Sequence, residues 1–198
     1  AGASVFIGAM MVALGLPIET PLMDWSPAAI RDEALRLAGL QSIAHVKSGM
    51  DVTVCRGLYF SATSKTHKIV QQLGSHVIIT ERSLNECWTR FVYVKELMHV
   101  FTPAHEASDT GSRFEELLAD LSAPILSSPS NQMLSEVDAF WMSLAVLCPE
   151  ARRLEMKESL EKNEIDNYGI ALELKIPEQY VPRLFEERYL RNVNRIIK

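Results

Sequence analysis

One stretch limits the folds open to this chain more than any other. His76–Thr80 (HVIIT) is a short run of β-branched apolar residues, the pattern of a buried strand. Immediately after it, Ser83-Leu84-Asn85-Glu86 has the capping-box form, a serine followed three places later by a glutamate. That cap opens the longest periodic segment of the chain, through about Phe101, in which Leu84, Trp88, Phe91, Val92 and Met98 recur at three- and four-residue steps. A buried strand running straight into a long amphipathic helix demands a sheet with a helix packed on it.

The flanking segments extend the pattern. Ser26-Pro27 reads as an N-cap followed by proline at the first helical position, opening a helix to about Leu37 with Gly39 as its stop. Residues Val52–Phe60 (VTVCRGLYF) predict a strand or small hairpin, and Thr66–Leu73 a helix ended by Gly74. Ser112 with Glu115 is a second capping box, whose helix Pro124 limits. Ser135 starts an apolar helix that Pro149 ends, and charged helical segments follow through the helix expected from Pro177. The class is therefore α+β. The organisation expected is an apolar arm over 1–25, a domain over 26–150 and a helical extension over 151–198 packed on it.

Composition excludes several classes. With 47% hydrophobic and 23% charged residues the chain is neither disordered nor collagen-like, and a formal charge of −5 argues against a general nucleic-acid binder. Cys55, Cys87 and Cys148 form no CxxC pair, which suits reduced thiols in a cytoplasm and disfavours a thiolate zinc site. At the other end, Val5–Leu16 is twelve apolar or small residues, short of the ~20 that span a bilayer, and no basic leader precedes it. It predicts a helix buried in its own domain or covered by a partner, including a second copy of the chain, and gives no reason to expect a membrane partner.

Chemistry concentrates in the long helix. Lys95-Glu96-Leu97-Met98-His99 places residues 95, 96 and 99 on adjacent parts of one helical face. Zinc peptidases use HExxH there, because two imidazoles four apart hold one metal while the glutamate polarises the bound water. This chain keeps the glutamate and the second histidine, with a lysine at the first ligand position.

The string RFVYVKELMHVF, preceded by HVIIT and a capped turn and led by Arg90 and Phe91, resembles the ImmA/IrrE family of zinc metallopeptidases. Glu136, Ala139, Val146, Leu147 and Pro149 fit a second block of that family, and IALELKIPEQYVPRLF (170–185) resembles its following segment. The resemblance covers roughly residues 76–185. It implies a zincin-like core and a metal-dependent peptidase that cleaves regulatory, repressor-type proteins. Glu96 would be the general base, His99 a zinc ligand and Glu136 a further ligand. Glu116, with Ala119, Ala123 and Pro129, fits the third-ligand template nearly as well. His105, six residues after His99, is another candidate, although Thr102 and Pro103 stand where a metzincin-type turn would need glycine.

Lys95 changes what such a site does. A protonated ammonium has no lone pair and cannot ligate, and its charge repels a divalent cation. The neighbouring carboxylates would hold its proton on. The expectation is that Lys95 sits at the metal position and neutralises Glu96 and Glu136 (or Glu116), leaving a metal-free pseudoenzyme that binds a protein or peptide partner. The alternative is an active peptidase whose shell is completed by His105 or a water.

Other features are weaker. His45, His67 and His76 lack ligand spacing with His99, Gly57 alone makes no phosphate loop, and Cys87, Trp88, Phe91, Phe140 and Trp141 read as core. The basic run from Arg183 to Lys198 reads as a solvated helix face. Its preceding helix, with Glu178 and Pro182, is a poor fit to a DNA major groove.

Overall fold

The computed structural model describes residues 26–64, 67–102 and 130–197. The arm over 1–25, the helix expected after Ser112, and the candidates His105 and Glu116 lie outside the described residues.

The first helix, α1 (Pro27–Ala38), starts and stops where its residues dictate. Ser26 accepts from the Ala29 amide, Pro27 occupies N1, and Gly39 takes the left-handed conformation at φ 67°, which lets the Leu40 amide reach back to the Leu35 carbonyl. Two strands follow, β1 (Ile43–Ser48) and β2 (Gly57–Phe60), then a short helix α2 (Lys68–Leu73) and the strand β3 (His76–Glu81). The sheet order is β1-β3-β2, with β1 parallel and β2 antiparallel to the central β3.

Two local expectations are corrected, and one strand lies where the sequence carried no expectation. Residues 51–55 form a turn rather than a strand. Asp51 accepts from the Thr53 amide and hydroxyl through its side chain, and from the Val54 and Cys55 amides through its carbonyl. This side-chain turn satisfies locally the groups a strand would need from a neighbour. Strand β1 has no clean alternation in IAHVKS; its register against β3 comes from pairing rather than pattern. Finally, Ser83 caps no helix. Its amide and hydroxyl both donate to Glu81, while Asn85 accepts from the Trp88 amide and starts the long helix α3 at Glu86 (Glu86–Met98).

The sheet faces divide by strand alternation. Phe60 and Val77 point to one side and form a small cluster with Val70 of α2. Ile78 points to the other side and belongs to the main core, against which Tyr59 packs. Helix α3 lies on this second face, with α1 packed against it as well. Its second half is accordingly buried nearly all round, at Val92, Tyr93, Val94, Glu96, Leu97 and Met98, rather than along one stripe. A single 3-10 turn, His99–Phe101, ends it.

The remaining helices are α4 (Asn131–Leu147), α5 (Glu150–Glu161), α6 (Asn167–Leu174), α7 (Val181–Phe185) and α8 (Arg188–Ile197), with a 3-10 turn at Glu178–Tyr180. Helix α4 begins four residues before the expected Ser135, because Ser130 accepts from the Met133 amide. It packs along α3, and α8 packs on α4 through Trp141 and Tyr189, whose ring centroids are 6.1 Å apart. Met156, Ile170, Ile176 and Leu184 join the same core as α3 and α4. Among the described residues no helix is long and apolar enough to cross a membrane.

The approach of β2 to α3 depends on Gly57. A Cβ there would lie 2.4 Å from Val92 Cγ1 and 2.8 Å from Glu96 Cγ. Gly57→Ala is expected to cost about 1–3 kcal/mol through overpacking, read as a lower urea midpoint. Gly49→Ala, whose Cβ would meet only the Arg82 side chain at 3.7 Å or beyond, is expected to leave the midpoint nearly unchanged.

Candidate functional site

Three side chains of the α3 terminus and one of α4 converge beside β2. Lys95 and Glu96 belong to the last turn of α3, His99 stands at its end, and Glu136 projects from the second turn of α4. The Lys95 Nζ is 2.5 Å from Glu136 Oε2 and 3.0 Å from Glu96 Oε1. One ammonium thus serves two carboxylates on two helices. The Glu96 side chain is 4% exposed and that of Lys95 19%, so water screens these charges little.

The protonation states follow from this arrangement. Burial alone would push Lys95 toward the neutral amine, but the charges and hydrogen bonds of Glu96 and Glu136 outweigh it and hold the proton above the ordinary lysine range. Burial likewise opposes ionisation of Glu136, and Lys95 together with His99 overcomes it, so that this carboxyl lies well below the ordinary range.

His99 is oriented from behind. Its Nδ1 lies 3.2 Å from the Thr102 hydroxyl and 3.4 Å from the Ser135 hydroxyl, and these two hydroxyls are 3.1 Å apart. The ring stacks on Tyr59 with centroids 6.1 Å apart. Its Nε2 therefore faces Glu136 Oε1 at 3.3 Å and Glu96 Oε2 at 3.9 Å. The Glu136 oxygen is close enough to attract but outside hydrogen-bond geometry, so this buried nitrogen is left without a hydrogen-bond partner. Thr102, Ser135 and Tyr59 carry no spacing signal in the sequence. Gly57 did carry one, since a lone glycine within a strand-like run marks a close backbone approach.

The four side chains line the floor of a cleft of about 770 Å³. Trp88 and Phe140, expected to be core, are only half-buried and line it, whereas Phe91 and Trp141 are buried as expected. Cys87 is half-buried rather than core, Cys55 lines the cleft, and Cys148 is fully buried, which pushes its thiol up to about 12. The other histidines are elsewhere: His45 Nε2 lies 2.8 Å from the Thr80 hydroxyl, His76 Nδ1 2.7 Å from the Tyr59 hydroxyl, and the His67 ring lies tilted against Phe60 with centroids 4.0 Å apart.

The zinc implied by the sequence resemblance can be tested on these donors. Glu96, His99 and Glu136 do face one another, as a ligand set would. One oxygen of each carboxylate, Glu96 Oε1 and Glu136 Oε2, is turned to the Lys95 ammonium, which offers no lone pair and adds positive charge beside the two oxygens that face His99. In this arrangement the donor set does not fit a divalent metal.

No protein-family model, no curated protein and no solved structure matches the chain.

Removing the ammonium inverts the pH response. In the wild type the depressed Glu136 contributes stability that is complete above the ordinary carboxylate pKa of about 4.3 and is lost as pH falls through its lower folded value. Lys95→Met leaves the buried Glu96 and the half-buried Glu136 facing each other without a counter-charge, at a cost of about 3 kcal/mol at pH 7. Mutual repulsion then raises a carboxyl above its unfolded value, so the variant is expected to gain stability relative to wild type as pH is lowered from 7 to 5. Urea midpoints of the variant measured against wild type at each pH check the sign: the deficit is expected to narrow from pH 7 to pH 5, whatever both lose through His45 and His76, whose pKa values burial lowers.

Proposed function

We propose that this chain is a zincin-like, metallopeptidase-related protein of the ImmA/IrrE type that acts as a metal-free pseudoenzyme, binding a protein or peptide partner in the cleft beside β2. The observation that carries this reading is the Lys95 ammonium held between Glu96 and Glu136. A hydrolase of that family needs a Lewis acid to polarise water and an ionised glutamate free to take its proton. Here the glutamate in the general-base position is engaged by an ammonium 3.0 Å away, and the first ligand position carries that same cation. What is retained is the cleft itself, bordered by Gly57, Leu58 and Tyr59 of the outer strand β2 on one side and by α4 on the other. A role as a regulatory binding module follows from a site that keeps its groove and loses its water activation.

One observation favours the alternative, an active metal-dependent peptidase. The buried Nε2 of His99 has no hydrogen-bond partner and faces both carboxylates, as a metal ligand would.

A single series separates the two. Metal content by plasma mass spectrometry on untagged, chelator-free protein, followed by zinc titration, is expected to find substoichiometric metal and stability indifferent to a chelator. Lys95→His is expected to gain tight zinc binding, because it replaces the cation by a neutral ligand four residues from His99. Stoichiometric zinc in the wild type, lost on His99→Ala and on Glu136→Ala, would overturn the pseudoenzyme reading in favour of the peptidase.

A further inference from the structure

We infer that the cleft takes an acidic peptide segment carrying an aromatic side chain, a specificity that rests on the reading of this site as a binding groove. The argument begins from the end of the cleft remote from Lys95. Trp88 and Lys95 are seven residues apart on α3, about 10 Å along the helix axis, so the cleft has two chemically different ends.

The remote end is an aromatic wall. Tyr180 lies with its ring centroid 4.7 Å from Phe91, 5.1 Å from Phe140 and 5.5 Å from Trp88. Trp88, Phe140 and Tyr180 are only half-buried, so the wall presents ring surface to the cleft. Offset or edge-on packing of a further ring against such a wall contributes beyond its buried area.

Arginines accompany the wall. Arg56 stacks on Trp88 at 4.4 Å and Arg188 over Trp141 at 5.9 Å, and Arg183 lies on the same turn-and-helix segment as Tyr180. Arg183 and Arg188 share one carboxylate, that of Glu186, and Arg56 has no carboxylate partner among the described residues. The residues lining the cleft include four cations (Arg56, Lys95, Arg183, Arg188) and two carboxylates (Glu96, Glu136); with Glu186 counted against its two arginines the balance is +1, within a chain of −5. The basic C-terminal run is thus not merely a solvated face; two of its arginines turn to the cleft. Surplus guanidinium beside exposed rings is the chemistry that recognises a carboxylate next to an aromatic side chain.

A peptide fits the length better than a small aromatic acid. At about 3.3 Å per extended residue, three or four residues reach from the arginines to the floor.

The test is selection of a phage-displayed library of random short peptides on the full chain. Fluorescence anisotropy of the best peptide, synthesised with a fluorophore, follows. Enrichment of aspartate or glutamate beside phenylalanine, tyrosine or tryptophan is expected. Affinity should fall about ten-fold with Arg56→Gln or Arg188→Gln, the loss of a hydrogen bond to a charged group. Lys157→Gln, on an exposed face away from the cleft, should leave it unchanged. Enrichment of basic or uncharged peptides, or affinity indifferent to both arginine changes, overturns the inference. If such peptides still lose affinity with Trp88→Ala, the binding-groove reading stands and the acidic specificity alone falls. Displacement of the selected peptide by phenylacetate at equal concentration would assign the cleft to a small aromatic acid. No enrichment from the library, together with stoichiometric zinc in the wild type, removes both readings.

Discussion

The Lys95 ammonium, shared between Glu96 on its own helix and Glu136 on the next, is the interaction on which the centre of the molecule depends. Ionised groups this far from water are tolerated only when each finds a partner of opposite charge and its hydrogen bonds are met. Here three charges meet in one place, and the geometry that satisfies them is possible only with α3 and α4 in one register. Sliding α4 by a turn along α3 would strand two carboxylates and an ammonium in a weakly screened environment. The ion cluster therefore acts as a register lock between the two helices that contribute the largest shares of the described core.

The same lock decides the chemistry. A histidine at position 95 would offer a lone pair to a cation and leave both carboxylates available. A lysine keeps the position occupied but puts a cation of its own where that lone pair would be. Its proton is held by the charges it neutralises, so the arrangement is self-consistent: Glu136 stays ionised because the ammonium is there, and the ammonium stays charged because of the carboxylates beside it. His99 is fixed from behind by Thr102 and Ser135, with its Nε2 turned to the two carboxylates that the ammonium joins.

Much of this was legible in one dimension. The Ser26-Pro27 start and Gly39 stop of α1, the buried strand at 76–80, and the long helix that follows were all read from caps and periodicity, because these signals act within a few residues of where they occur. Errors arose where local groups competed. Ser83 and Asn85 both precede the helix, and only the three-dimensional position of the Glu81 carboxylate draws Ser83 away from capping. Asp51 converted part of a β-branched run into a turn, and β1 escaped notice because its pairing with β3 is a long-range property.

The sequence by itself determined that Lys95, Glu96 and His99 share one helical face, since helical geometry follows from spacing alone. Whether Glu136 would meet them is a matter of tertiary structure, because 41 residues separate it from Lys95 and no local rule spans that distance. The aromatic wall and its arginines were likewise decided only by packing. Trp88, Phe140 and Tyr180 come from three separate elements, and hydrophobicity says that such residues will be buried without saying which of them will be left facing a cleft.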